Sequence, residues 1–208
     1  MDRYAGGAEK FDGASMSVVT LVSGGLDSTL VAFLTRETGV QQHPLFINYG
    51  QRAYIRELNA CKTSLQEIGL PEPTVANLPG FGQLIRSGLT DTTLRVHEDA
   101  FTPGRNMLFL LVAAAHAHQV NADAVAIGLL HESTSLFPDQ TSGFLSDAQA
   151  LISRCMGRPI KILAPLSSFY KKDVVALAAK KGIRGTYSCH VGDEEPCGVC
   201  IACREFNF

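Results

Sequence analysis

Apolar residues along this chain gather in two alternating kinds of run. The first kind is short and continuous: "MSVVTLV" (16–22), "HPLFINYG" (43–50), "PTVANL" (73–78), "ADAVAIG" (122–128) and "PIKILAPL" (159–166). Runs of this length, bounded by glycine, proline or polar residues, predict strands buried on both faces. The second kind is longer and follows the helical period. "LDSTLVAFLTRETG" (26–39) sets Leu26, Leu30, Phe33 and Leu34 on one side and stops at Gly39, and "QRAYIRELNACKTSLQEIG" (51–69) stops at Gly69. "RNMLFLLVAAAHAHQV" (105–120) is a strongly apolar helix; "PDQTSGFLSDAQALISRCMG" (138–157) and "YKKDVVALAAKKG" (170–182) complete the set. Strand and helix in regular alternation predict an α/β fold, a doubly wound, mostly parallel sheet covered on both faces. Residues 79–104 lose the pattern and are expected to form a loop with a short helix over the site. Residues 1–15, "MDRYAGGAEKFDGAS", read as a flexible lead-in. The α/β domain is expected to span 16–186, with a closing segment at 187–208.

With 208 residues, 46% of them hydrophobic, the chain has material for one such core and little more. A formal net charge of -2 offers no basic surface, so nucleic acid is not an expected direct partner. The pairs Lys171-Lys172 and Lys180-Lys181 read as solvated helix faces. No apolar run approaches the ~18 residues of a membrane span and no charged-then-apolar leader is seen, which predicts a cytoplasmic protein with no membrane partner.

Cysteine use changes the picture of the closing segment. Four of the six cysteines, Cys189, Cys197, Cys200 and Cys203, fall within the last 20 residues. In a reducing compartment such crowding indicates a metal before it indicates disulfides. Four thiolates close a tetrahedral Zn²⁺ site with no open position, which is the structural kind, and Gly198 allows the tight turn between them. His190 adjoins Cys189 but finds no vacancy among four sulfurs. Little core can be built from "SCHVGDEEPCGVCIACREF", so the metal should supply much of the folding energy and pin the segment to the active edge of the sheet. Cys61 and Cys155 read as small buried side chains. His116 and His118, two apart on a helix, point to different sides and form no metal pair; His43, His97 and His131 read as structural or surface residues.

The chemistry concentrates where the first strand gives way to the first helix, at "VSGGLDST" (22–29). Glycines bring backbone N–H groups close to a ligand, the helix start adds partial positive charge, and the hydroxyls of Ser23, Ser28 and Thr29 add donors, so the turn is an anion cradle. It lacks the lysine of a Walker A loop and the spacing of a dinucleotide fingerprint. The string Ser23-Gly24-Gly25-Leu26-Asp27-Ser28 resembles the SGGxDS pyrophosphate loop of the N-type ATP pyrophosphatase superfamily, whose fold is of the adenine nucleotide alpha hydrolase, Rossmann-like type. That resemblance implies ATP as cofactor held by Val22, Ser23, Gly24, Gly25, Leu26, Asp27, Ser28 and Thr29, with Mg²⁺ as escort, and attack of a substrate oxygen on the α-phosphate.

Further motifs in order narrow the likeness: "FINYGQR" (46–52), "PGRNMLFL" (103–110), "FPDQTSGF" (137–144), "PLSSFYKKDVV" (165–175) and "SCHVGDEEPCGVCIAC" (188–203). Together they resemble the 7-cyano-7-deazaguanine synthase family of the queuosine pathway, over about residues 17–204. The resemblance implies that the carboxylate of 7-carboxy-7-deazaguanine is adenylated, that ammonia displaces AMP, and that a second activation dehydrates the amide to a nitrile. It assigns catalysis to Ser23, Asp27, Arg105 and Lys171 and substrate contacts to Tyr49, Gln51, Arg105, Asn106 and Asp139, in a homodimer.

Four motifs depart from the family pattern. Ala53 stands where a histidine follows the YGQ motif, Gln140-Thr141 replaces a Cys-Arg pair, His190 replaces a tyrosine, and Tyr170 replaces the hydroxyl residue before Lys171. The first three fall in segments expected to face the deazaguanine or the incoming amine. They leave open a second enzyme, a paralogue of the kind found beside antiviral defence genes, which joins the activated acid to an amine of a partner protein. Another adenylating member of the superfamily, and a nucleotide-sensing or zinc-knuckle binding module, are the remaining alternatives.

Overall fold

All five continuous apolar runs enter one sheet. A computed structural model describes residues 16–206 of the chain; the expected lead-in at 1–15 lies outside the described residues. The strands are β1 (Ser17–Leu21), β2 (Gln41–Asn48), β3 (Thr74–Asn77), β4 (Ala124–Ala126) and β5 (Lys161–Leu163). They pair in the order β3-β2-β1-β4-β5, every pair parallel, with Val19 opposite both His43 and Val125. Helices α1 (Leu26–Glu37), α2 (Tyr54–Glu67), α3 (Pro79–Leu84), α4 (Arg105–Gln119), α5 (Ser142–Met156), α6 (Lys171–Lys180) and α7 (Ile201–Arg204) connect or follow them.

Side-chain alternation along β1 explains the two covered faces. Val19 and Leu21 point one way, into a core with Leu110, Ala113 and Ala117 of α4 and Ile152 of α5. Val18 points the other way, against Leu30 and Val31 of α1 and Val174 and Leu177 of α6. Phe46 of β2 extends that second layer over Cys61 and Leu65 of α2. Small residues in α4 let the strongly apolar helix lie close on the sheet, and Leu110, Ala113, Ala114 and Ala117 are wholly buried.

Because β2 and β4 flank β1 on opposite sides, the chain reverses its winding direction at β1. Open parallel sheets bind ligands outside the carboxyl ends of the strands at this point, and the glycine-rich turn follows β1 there. Gly24 has φ of +79°, and a Cβ on it would stand 2.3 Å from the carbonyl oxygen of Glu57 and 2.7 Å from the backbone nitrogen of Cys61. Helix α2 thus passes directly against the turn, a contact that only glycine permits.

Some boundaries and one cysteine differ from expectation. The helix expected to start at Pro138 is a single 3-10 turn at Pro138–Gln140, followed by a break at Thr141. The Thr141 hydroxyl then caps α5 by accepting the N–H of Phe144 at 3.2 Å, a local hydrogen bond that outcompetes continuation of the helix. The last strand is only three residues long, because Leu166 turns away to pack beneath α6. Cys61 is buried as expected, but Cys155 is exposed, on the outer side of α5. The segment 79–104 contains α3 and a series of turns, and its Leu89 and Ala100 reach the cavity described below.

Substituting Gly24→Ala combines an unfavourable left-handed backbone with a clash against main-chain atoms that cannot swing aside. It is expected to cost at least about 3 kcal/mol and to lower Tm by roughly 6–12 °C, measured by thermal and urea unfolding.

Candidate active site

The turn after β1 is organised by its own serines. Ser28 Oγ accepts the N–H of Ser23 at 3.0 Å and donates to the carbonyl of Gly25 at 3.2 Å. Ser23 Oγ lies 3.0 Å from Ser28 Oγ and accepts the N–H of Gly25 at 3.4 Å. Gly25 occupies the cap position of α1 with no side chain closing the helix end, so the first N–H groups of α1 have donating capacity for an anion.

In front of the turn lies a cavity of about 300 Å³, walled by Val22, Ser23, Gly25, Leu26, Asp27 and Ser28 on the side of the turn. Gly24 and Thr29 do not line it. Gly24 is spent on the contact with α2, and Thr29 is buried with its hydroxyl 3.4 Å from Ser64 Oγ. Lys171, the first residue of α6, reaches across and donates to both carboxylate oxygens of Asp27 at 2.9 Å. Its ammonium also pairs with Glu205 at 3.1 Å and lies 4.8 Å over the ring of Phe206. Burial pulls against the charge of Lys171, but Asp27 and Glu205 together hold its pKa above the ordinary lysine value. The lysine is therefore a firmly charged cation at the edge of the turn, and its side chain is only 13% exposed.

The opposite end is aromatic and polar. Tyr49, after β2, and Phe109, one turn into α4, have ring centroids 5.3 Å apart. Arg105 opens α4 and places its guanidinium 5.8 Å from each of these centroids. Gln51 is buried, accepts the N–H of Tyr49 at 2.9 Å, and donates to Ile47 O at 3.2 Å and to Glu57 Oε2 at 3.0 Å. Asn106 lines the cavity, and its amide donates to the backbone carbonyl of Asp139 at 2.9 Å. Asp139 itself does not line the cavity; its carboxylate accepts the N–H of Asn106 at 3.3 Å. Gln140 lines it instead, with Oε1 accepting the N–H groups of Leu136 and Phe137.

The closing segment supplies the remaining wall. Tyr187 donates its N–H to the carbonyl of Gly24 at 2.8 Å, and Tyr187, Ser188 and His190 line the cavity. Four sulfurs, of Cys189, Cys197, Cys200 and Cys203, lie within 4.8 Å of one another, and those of Cys197 and Cys203 are 3.9 Å apart. Tetrahedral thiolates at a zinc–sulfur distance of ~2.3 Å stand ~3.8 Å apart, so the donor set fits one closed ion. The N–H groups of Cys197, Cys200 and Cys203 each point at a cysteine sulfur at 3.4 Å, which supports thiolate charge. Around the sulfurs only Cys189, Cys200 and Ala202 are buried, a core too small to hold the segment unaided.

Sequence reasoning missed Glu57 and Glu205 as residues facing this cavity. Glu57 lies one turn into the helix after the YGQ motif, a spacing that signals a residue at the strand's carboxyl edge. His190, which departs from the family pattern in a segment expected to face the substrate or the amine, lines the cavity. Its Nδ1 is buried without a partner, and burial, with the charges of Arg105 and Lys171, pushes its pKa down to about 4, leaving a neutral imidazole. Glu205 had no local signal; its role follows from where the knuckle folds back.

Burial also pushes the carboxyl of Glu57 up to about 7, against the opposing effects of Gln51 and Arg105. Unfolded chains release that proton near the ordinary value of 4.5, so between pH 4.5 and 7 the folded state binds more protons and stability declines as pH rises. Glu57→Gln is expected to remove this decline. The variant should be more stable than the parent at pH 8, by on the order of 1–3 kcal/mol, and no more stable at pH 4.5, as read by urea unfolding at the two pH values.

Comparison with known proteins agrees with this geometry. The family described as queuosine biosynthesis protein QueC matches residues 17–207. The 7-cyano-7-deazaguanine synthase of Nautilia profundicola is 35% identical over 199 residues, covering 89% of each chain. That of Sulfurovum sp. (strain NBC37-1) is 34% identical over 200 residues, again covering 89% of each. Among solved structures, the U34-tRNA thiolase NcsA from Methanococcus maripaludis superposes with a TM-score of 0.55 at 15% identity, covering 92% of this chain and 64% of its own; this likeness concerns the fold. With the whole α/β framework and the four cysteines inside the matched range, the chain belongs to the QueC family of queuosine biosynthesis proteins.

Proposed function

We propose that this protein is an ATP-dependent carbon–nitrogen ligase that adenylates the carboxylate of 7-carboxy-7-deazaguanine, amidates it with ammonia and dehydrates the amide to 7-cyano-7-deazaguanine. The observation that carries this reading is the uncapped start of α1 facing a cavity bordered by two cations, Lys171 and Arg105. A carboxylate is a poor electrophile because oxide is a poor leaving group; joined to AMP it offers a good one. The protein's task is to align the carboxylate oxygen with the α-phosphorus and to neutralise charge gathering on the departing pyrophosphate. Backbone N–H groups of Gly25 to Ser28, with Ser23 and Lys171, suit the pyrophosphate. Arg105 suits the acid or the α-phosphate. Asp27, relieved of Lys171 by an incoming phosphate, would face the Mg²⁺ that accompanies ATP.

Zinc is the ion proposed for the four cysteines, in a structural role that holds Tyr187, His190 and Glu205 against the site. Among the described residues no helix is long and apolar enough to cross a membrane. A cytoplasmic homodimer completes the reading, by analogy with the family.

One observation favours a second reading. Where the family motif carries a thiol and a guanidinium, Gln140 spends its Oε1 on two backbone N–H groups and Thr141 caps α5. That wall therefore carries neither the thiol nor the fixed positive charge of the family motif, and an amine of a partner protein is the alternative acceptor to ammonia, in the manner of defence-associated paralogues.

Incubation with ATP and 7-carboxy-7-deazaguanine, with and without ammonium, followed by mass analysis of small molecules and protein, tests both. Acid-dependent pyrophosphate release with ammonium-dependent nitrile is expected. A deazaguanine adduct on protein would select the second reading, and ADP formation without AMP would reject both. Cys200→Ser is expected to lose zinc and to lower Tm by roughly 6–12 °C, measured by metal analysis beside thermal unfolding.

A further inference from the structure

Glu57 is the one carboxylate at the aromatic end of the cavity, and the function above gives it no task. It belongs to α2, whose backbone is locked against Gly24, so its position is fixed by main-chain contacts. Gln51 aims it. Both amide N–H groups of Gln51 are used inside the protein, on Ile47 O and on Glu57 Oε2, while its oxygen accepts from Tyr49. Gln51 thus has no N–H left for a ligand. Among the described residues Glu57 Oε1 receives no hydrogen bond and Glu57 forms no ion pair, and the side chain lines the cavity. The nearest cation acting on it is Arg105, which influences it through space.

What would such a group bind? A metal site is not built here, since the only cluster of three or more metal-ligating side chains among the described residues is that of the cysteines. An ionised carboxylate accepts hydrogen bonds and cannot donate them, so its ligand must bring N–H or O–H donors. The neighbouring rings of Tyr49 and Phe109, tilted by 58°, with the guanidinium of Arg105 beside both, form an aromatic surface that suits a flat ligand. A flat ring with two adjacent N–H donors meets a carboxylate with two parallel hydrogen bonds.

Resting on the function proposed above, we infer that Glu57 is the specificity residue for the ring: its carboxylate accepts hydrogen bonds from the lactam N–H and the exocyclic amine of a 2-amino-4-oxopyrimidine. This places the acid end of the substrate towards Arg105 and the phosphate turn, and the donor edge against α2. Burial raises the pKa of Glu57, and hydrogen-bond donors brought to its carboxylate would act in the opposite direction. Gln51 acts through Glu57 and is a positioning residue.

The test uses the full-length zinc-loaded protein and two acids, 7-carboxy-7-deazaguanine and its analogue lacking the exocyclic amine, in acid-dependent pyrophosphate exchange. A site built to bind an N–H group rejects the analogue without it strongly, so the parent is expected to prefer the acid that carries the exocyclic amine by at least ~100-fold in kcat/KM. Glu57→Ala is expected to bring the two within about fivefold, through a rise in KM for the amino compound, and Glu57→Gln to retain a preference of about tenfold. The KM for ATP should stay within about twofold in both variants, which excludes general loss of the fold. An unchanged preference in Glu57→Ala overturns the assignment, as does a parallel loss of ATP binding in both variants. Intact KM with loss of the amidation step alone also overturns it, in favour of Glu57 as a proton acceptor. A parent protein that turns over neither acid removes the functional reading, and the assignment falls with it.

Discussion

Everything at this site depends on how closely helix α2 approaches the turn after β1. At Gly24 the two backbones meet with no room for a methyl group. That contact fixes the turn that leads into α1, holds the carbonyl of Gly24 where Tyr187 can donate to it, and brings Glu57 to the cavity. The loop is a main-chain junction fixed by contact with α2. On the proposed function, preorganised donors of this kind would stabilise developing charge without reorganisation during the reaction.

The four-cysteine segment completes the enclosure from the other side. Its hydrogen bond to Gly24, the pressure of Gly192 on the backbone of Arg52 and Ala53, and the ion pair from Glu205 to Lys171 are three separate attachments to the α/β framework. None buries much apolar surface, and the four cysteines that could hold a metal ion supply the attachment that a core of this size does not. Ala53 has a physical correlate here. It is 2% exposed, and Gly192 packs directly upon it, so a larger side chain at either residue would lift the segment from α2.

The layered sheet and the glycine-rich turn were legible in the sequence because both rest on local signals. Period-two and period-3.6 patterns mark which face of each element is covered, and the serines and glycines of 23–28 set the shape of the turn through their own backbone. The cysteine spacing was legible for the same reason. What stayed hidden was the meeting of elements distant in the chain. Glu57 looks like any helix-surface carboxylate until Gln51 folds beneath it, and Lys171 looks like half of a solvated pair until Asp27, 144 positions away, closes over it. Asp139 shows the reverse: its motif is eye-catching, but the chain turns its carboxylate onto the start of α4. The capping preference of Thr141 was readable in principle, yet a proline-led helical pattern masked it.

Lys171 carries a consequence of its own. Its ammonium is largely desolvated and held between two acids, one from the turn after β1 and one from the four-cysteine segment. On the proposed reading, nucleotide arrival is an exchange of anions around a stationary cation, with dehydration of that cation completed when the chain folds. Each turnover then begins from a lysine stripped of water, and the work of stripping it is done once in the lifetime of the molecule.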